Sequence, residues 1–317
     1  MLTKIESAII VGGNGLIGRA VVANLSKQRI PVLVVGTAAS IHPDLTEFVG
    51  KSASYLQASA CQNGFDELEA ILKRDHRQIK DPVFFNLAWR GAGGITDGSL
   101  REQLPNIQLS CDFVRLAKRI GATKYIASGS IEEIFFEKLV NSNNWLSSTS
   151  ANKRNCYPLI KTAARMQSEL EAYRQGLDFC YTRISVAIDK RLRTRKYVEQ
   201  SLKAILSVPN VPNPENHQLC NIASTDEIAR QMVAVGHRGK NKGIYTLGTA
   251  VCDTLLGYFE KFYSMRHKLD LPSRHPPPDP RKFLDPSVFE LTVLLEHTGY
   301  LPSENTENLF NEIIEIA

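Results

Sequence analysis

The chain has 317 residues, 43% of them hydrophobic, with 38 Lys and Arg against 33 Asp and Glu and a formal net charge of +5. That is enough apolar material for one large domain or for two that share a cleft. The small excess of positive charge suits an anionic small ligand but marks no extended basic face, and with no RNP-like or helix-turn-helix signature a nucleic-acid partner is not expected.

In chain order, SAIIVGG (Ser7 to Gly13) predicts a buried strand, Leu16 to Lys27 a helix, and PVLVVG (Pro31 to Gly36) a second strand. SYLQAS is a third strand and FDELEAILKRD a helix. PVFFNLAW (Pro82 to Trp89) is a fourth strand, followed by a long helix from Leu104 to Ile120. TKYIASGS is a fifth strand, Ile160 to Gln175 a helix, and FCYTRISVAI a sixth strand. Strands alternating with helices predict an α/β fold, a doubly wound parallel sheet covered on both faces. The rhythm breaks near residue 186. KRLRTRK (Lys190 to Lys196) is basic, Pro and Asn cluster from Pro209 to Asn216, and HPPPDP (His275 to Pro280) excludes helix and central strand. The expected organisation is a dinucleotide-type domain over 1–185 and a smaller, loop-rich, mainly substrate-binding region over 186–317. Part of 217–250 is expected to return to the first domain.

No run of about 18 apolar residues predicts a membrane span. Six cysteines without a C-x-x-C pair, and seven scattered histidines, predict neither a zinc site nor a disulfide framework. The expected setting is cytoplasmic, with no membrane partner and no metal.

In VGGNGLIGRAVVANL, Gly12, Gly15 and Gly18 stand between the first strand and the first helix. Glycines at this spacing allow a tight turn and close approach of backbone to a pyrophosphate, which the free N–H groups of the helix start can bind. Asn14, Leu16, Ile17 and Arg19 belong to the same turn and first helical turn. The plainer alternative is a turn that is merely glycine-rich; its place between strand and helix favours the Rossmann dinucleotide site. The second strand ends Gly36-Thr37-Ala38-Ala39-Ser40, without the carboxylate that binds a ribose 2′-OH. Thr37 and Ser40 offer donors and Arg19 a charge for a 2′-phosphate, so NADP(H) is preferred to NAD(H); a solvated Arg19 is the alternative.

Tyr157 and Lys161, in YPLIK, are one helical turn apart and share a face. Ser128-Gly129-Ser130 ends the fifth strand, at the sheet edge where a dinucleotide lies. A tyrosine near its free pKa of about 10 is a poor base at neutral pH. A neighbouring ammonium, with an oxidised nicotinamide, is expected to lower it. Tyr157 then exchanges a proton with a carbinol or carbonyl oxygen, Ser130 holds that oxygen, and Lys161 bonds the nicotinamide ribose. Alone, the pair reads as a buried tyrosine and a surface lysine; with the glycine turn and Ser130 it reads as chemistry.

These motifs together resemble the extended short-chain dehydrogenase/reductases, the NAD-dependent epimerase/dehydratase family. The resemblance runs nearly the whole length: VGGNGLIG, NLAW (Asn86 to Trp89), Asn106, SGS, YPLIK, Arg183 in the sixth strand, and the tail PRKFLDPSVFELTVLLEHTGYLP. It implies Ser130, Tyr157 and Lys161 as the catalytic trio. It implies that Asn86, Leu87 and Ala88 line the cofactor, with Ser59 and Ile184 at cofactor-facing strand ends. Trp89, Ser130, Arg191, Arg193 and Arg274 would meet the substrate, the arginines being candidates for its diphosphate; a solvated loop is the alternative for the basic run. Departures from the pattern are Ala58-Ser59 in place of Gly-Asp, Ile134-Phe135 in place of Tyr-Gly, and Ile184-Ser185 after Arg183 in place of proline. Ile131 separates Ser130 from Glu132 and Glu133, which argues against a dehydratase. The resemblance implies a nucleotide-diphosphate-sugar substrate, 4-keto reduction with Tyr157 as acid/base, and a homodimer. A 4-epimerase, a reductase of a non-sugar carbonyl, and a non-catalytic dinucleotide-binding scaffold are the alternatives.

Overall fold

A computed structural model describes residues 4–58, 62–75, 79–91, 100–141, 155–208, 219–269 and 286–317. Ser59, Arg274 and both proline-rich stretches singled out above lie outside the described residues.

The first half builds β1 (Ala8–Val11), α1 (Leu16–Lys27), β2 (Val32–Gly36), β3 (Ala53–Gln57), α2 (Gln62–Asp75), β4 (Val83–Asn86), a single turn α3 (Leu100–Gln103) and α4 (Pro105–Arg119). Then come β5 (Lys124–Ser130), α5 (Glu132–Asn141), α6 (Cys156–Gln175), β6 (Asp178–Ile184) and β7 (Val186–Ile188). The second half carries α7 (Tyr197–Ser207), β8 (Leu219–Cys220), β9 (Ile222–Ser224), α8 (Thr225–Arg238), β10 (Gly243–Leu247), β11 (Asp253–Thr254), α9 (Leu255–His267), α10 (Thr292–Thr298) and α11 (Thr306–Ile316).

Seven strands pair in parallel in the order β3-β2-β1-β4-β5-β6-β10. Their near-continuous apolar runs are explained by burial on both faces. Ile10, Val34, Phe85 and Ile126 point to one core with Val22 and Leu25 of α1 and Ile228 and Met232 of α8. Ile9, Leu33, Phe84 and Tyr125 point to the other, with Phe113 and Leu116 of α4. A third core joins α7, α9 and α11 through Leu202, Ile205, Phe259, Phe262, Leu309 and Phe310.

Three boundaries differ from the sequence expectation. The run FCYTRISVAI is two strands, because Ser185 leaves the main sheet. Its hydroxyl donates to Leu247 O, and Val186 onward pairs with β9. Asn221, buried beside it, donates to Thr249 O and Val251 O at 2.7 Å each, so the crossover is satisfied without a ladder. The fourth strand stops at Asn86, and Leu87 to Trp89 run past the sheet's carboxyl edge. Helix α6 starts at Cys156 rather than Ile160. Pro158 is compatible with this because a first-turn residue needs neither a free φ nor an N–H donor. Tyr157 and Lys161 therefore lie in one helix. Gly176 closes it in the left-handed region at φ +59°.

Candidate active site

The turn after β1 is shaped by glycine. Gly12 has φ +81°, and a Cβ there would stand 2.8 Å from the backbone of Leu87 and Ala88. A Cβ on Gly18 would lie 2.3 Å from Gly12 O. The turn and the chain leaving β4 are thus packed backbone to backbone. Gly15 is the N-cap of α1 and provides no side-chain bond, so the first-turn N–H groups of Leu16, Ile17 and Gly18 are left for a ligand. This donor set fits the pyrophosphate of a dinucleotide.

Asn14 ties the turn to the chain after β2: its amide donates to Ser40 O at 3.0 Å and accepts from His42 N at 2.9 Å. Thr37 and Ser40 are exposed beyond β2. Arg19 is neither solvated nor unengaged. It donates to Asn14 O at 3.2 Å and faces Asp44 at 3.4 Å. Arg193 clamps the same Asp44 at 2.9 Å and Asp189 at 2.6 Å. Arg19, Asp44, Arg191 and Arg193 line one cavity of about 600 Å³. Trp89 and Lys161 line a different crevice. The structure therefore does not bring Arg191 and Arg193 together with Trp89 and Lys161, and Arg193 is engaged by two carboxylates. Asn86 stands at the end of β4, beside Leu87 and Ala88. It is buried, donates to Tyr125 OH at 2.8 Å and accepts from Ala88 N at 3.2 Å, so it braces the Leu87–Ala88 bend from behind.

Ser130 ends β5 opposite Ile184 of β6, whose carbonyl accepts from Ile131 N at 3.0 Å. The Ser130 hydroxyl accepts from Glu132 N at 3.2 Å and acts on the Tyr157 phenol by favouring its ionised form. Lys161, 4% exposed, donates to Ser128 O at 2.7 Å. Its ammonium sits 3.8 Å from the centroid of Trp89, whose ring meets Tyr157 edge-on at 5.8 Å. The indole N–H donates to buried Gln103 at 2.7 Å, and Gln103 in turn holds Gly91 O at 3.0 Å. Ser130, Tyr157, Lys161 and Trp89 thus form one contact group.

The chain's own groups raise Tyr157. Burial is the largest cause, followed by the negative charge of Glu133; Ser130 opposes them in part, and Glu132 adds a smaller push upward. Lys161 is pulled down to about 8 by burial, with Glu133 opposing. In the sequence Glu133 counts only in the comparison with the dehydratases. It is wholly buried, accepting from Ser130 N at 2.8 Å and from Tyr181 OH at 2.7 Å. One signal was available: glycine at 129, directly before Ser130, where a Cβ would stand 2.3 Å from the Tyr181 ring. Gln103, which holds Trp89, has no such marker. Among the described residues no group of His, Cys, Asp and Glu that could hold a metal is present, and no helix is long and apolar enough to cross a membrane.

No family model and no curated protein matches the chain. Solved structures match over its whole length. A UDP-N-acetylglucosamine 4-epimerase from Methanobrevibacter ruminantium, in complex with UDP-N-acetylmuramic acid, is 20% identical at TM-score 0.73, covering 99% of this chain and 98% of that one. A UDP-glucose 4-epimerase from Thermotoga maritima, with UDP-glucose, is 17% identical at TM-score 0.69, covering 98% of each chain. A Thermus thermophilus UDP-glucose 4-epimerase in complex with NAD is 16% identical at TM-score 0.69, again covering 98% of each. From β1 to α11, the chain has the fold of these nucleotide-sugar epimerases.

Proposed function

We propose that this chain is a nicotinamide-dinucleotide-dependent enzyme acting at a carbonyl or carbinol carbon of a nucleotide-diphosphate sugar, with 4-keto reduction as its reaction. The observation that carries the reading is the contact group of Ser130, Tyr157 and Lys161, at the same sheet edge as the uncapped glycine turn of α1. The fold shared with proteins that bind UDP-sugars supports the substrate class.

The dinucleotide would be held by the first-turn N–H groups of α1, and when bound it supplies the hydride. The chain's residues handle the proton. As a C–H bond forms at the carbonyl carbon, the C=O π pair moves to oxygen. The Ser130 hydroxyl donates a hydrogen bond to that oxygen, and the Tyr157 O–H bond breaks to protonate it. The phenolate left behind is balanced by the Lys161 ammonium and reprotonated from water. The Trp89 face, 3.8 Å from the Lys161 ammonium, holds that ammonium in place. Between cofactors we favour NADP(H), because no carboxylate closes β2 and Thr37 and Ser40 are exposed there. A 2′-phosphate reaching Arg19 has to compete with Asp44.

The test is incubation of 4-keto and 4-hydroxy nucleotide sugars with NADPH and NADH in parallel. Net consumption of the reduced dinucleotide with a keto sugar is expected. Interconversion of sugars without net consumption would make the chain an epimerase, and no turnover of any nucleotide sugar would overturn the reading.

The same proposal includes a cytoplasmic homodimer. Leu159, Met166, Leu170 and Tyr173 of α6 are exposed in a stripe at helical spacing. Met166→Glu with Leu170→Glu is expected to halve the mass measured by light scattering; a monomeric parent would rule the dimer out.

A further inference from the structure

The chain that leaves β4 is held by buried side chains that the proposed reaction does not use. Gln103 ends α3 and Asn106 lies in the first turn of α4, and both are buried. Gln103 Oε1 accepts the indole N–H of Trp89 at 2.7 Å, and its Nε2 donates to Gly91 O at 3.0 Å. Asn106 Oδ1 accepts from Arg90 N at 2.8 Å. Its Nδ2 donates to Arg90 O at 3.2 Å and to Gln103 O at 2.9 Å. Two buried amides thus fix three consecutive residues, by their backbone and by the indole.

We propose that Gln103 is a positioning residue for Lys161, acting through Trp89: its amide sets the plane of the indole, and the indole face holds the ammonium beside Tyr157. This rests on the reaction proposed above and traces the placing of its ammonium back to α3.

Each link is a contact. The indole face lies 3.8 Å from Lys161 Nζ, and the same ring meets Tyr157 at 5.8 Å with the two planes 84° apart. One aromatic ring therefore bears on both members of the pair. The ammonium donates to Ser128 O at 2.7 Å, on the backbone of β5, which is paired on both sides. That bond sets a distance but not a direction, because a long, flexible lysine stem can swing about a single acceptor. The indole face supplies the second constraint. The indole could itself turn about its side-chain bonds, since Trp89 lies beyond the end of β4. Its N–H bond to Gln103 stops that rotation.

One test needs no turnover. Protons held over an aromatic face resonate upfield. In protein with lysine isotope-labelled at Cε, the Lys161 signal is expected upfield of the other lysines, and Lys161→Met identifies it by its loss. Gln103→Met keeps the length of the side chain and removes the acceptor, so it should return that signal toward the common position. The other test is a double-mutant cycle. Gln103→Met is expected to lower kcat with a keto sugar about fivefold and to leave dinucleotide affinity within about twofold, as the loss of one restraining hydrogen bond implies. In a Trp89→Phe background, whose ring has no N–H to restrain, the same substitution should change kcat by less than about twofold. Absence of an upfield lysine signal from the unsubstituted protein overturns the proposal, even if Gln103→Met fails to fold. An upfield signal that Gln103→Met leaves in place overturns it as well. So does an equal fall of kcat in both backgrounds, because the loss would then come through Gly91 O rather than the indole. Absence of turnover with every nucleotide sugar would overturn the reaction, and the lysine signal alone would then decide the role of Gln103.

Discussion

Tyr157→Phe is expected to lower kcat for keto-sugar reduction by about 10³-fold while leaving dinucleotide affinity within about twofold. The substitution removes one hydroxyl. The ring keeps its edge contact with Trp89, and the helix that carries it is untouched, so the fold and the glycine turn survive. What disappears is the proposed proton donor of the site. Hydride transfer without a proton source leaves an alkoxide in a pocket with two carboxylates behind it, so the loss is expected well within the range for general acids. The measurement is the absorbance of the reduced nicotinamide under saturating substrate, with binding followed by calorimetry. A fall of less than tenfold would remove Tyr157 from the chemistry. A large fall accompanied by lost dinucleotide binding would make its role structural.

Lys161→Met is expected to abolish turnover and to stabilise the protein at neutral pH. In the fold Lys161 titrates at about 8 against 10.5 for an unburied lysine, because burial disfavours the ammonium. The sign follows directly. The unfolded chain holds the proton up to the higher value and the folded chain releases it near the lower one. The burden is therefore fully present below about pH 8 and fades as pH rises toward 10.5. A difference of this size corresponds to about 3 kcal/mol at pH 7. Methionine fills the same space but forgoes the bond to Ser128 O, a loss of about 1 kcal/mol, and so about 2 kcal/mol of added stability remains. The check is a pair of melting curves at pH 7 and pH 9.5. The advantage of Lys161→Met should be clear at the first and much smaller at the second. A variant less stable than the parent at pH 7 would show that the Trp89 face and Ser128 O more than offset burial. The pairing of lost turnover with gained stability is itself informative, because it marks an ammonium retained for function at the expense of the fold.

Much of this arrangement is legible in the chain before any coordinates. Buried parallel strands separated by amphipathic helices have a distinct apolar rhythm, and the glycine turn has a local cause in the contact of Gly12 and Gly18 with neighbouring backbone. The nearness of Ser130 to Tyr157 and Lys161 follows from strand order and helical spacing. What escapes is whatever depends on partners far apart in sequence. Asp44 and Arg193 pair across the fold, and nothing in KRLRTRK announces a carboxylate waiting for its third basic residue. Alternation along FCYTRISVAI does not say that Ser185 changes sheets, since a period of two is the same in either ladder. Glu133 reads locally as an acidic residue in the first turn of a helix, a common and sufficient explanation that hides its inward course. The partners of Asn86 escape for the same reason: a polar residue at a strand end invites a ligand, and nothing local shows that its amide also joins Tyr125 OH and Ala88 N.

Gly129 and Tyr181 lie across β5 and β6 with no room between them for a single methyl group. A larger residue at 129 is tolerable only if the ring at 181 has already shrunk, and a smaller residue at 181 leaves the Glu133 carboxylate short of a donor. The two positions can therefore drift only in a fixed sequence of changes, and the intermediate is the less stable protein. In descendants of this chain, glycine at 129 and tyrosine at 181 should be inherited together or lost together.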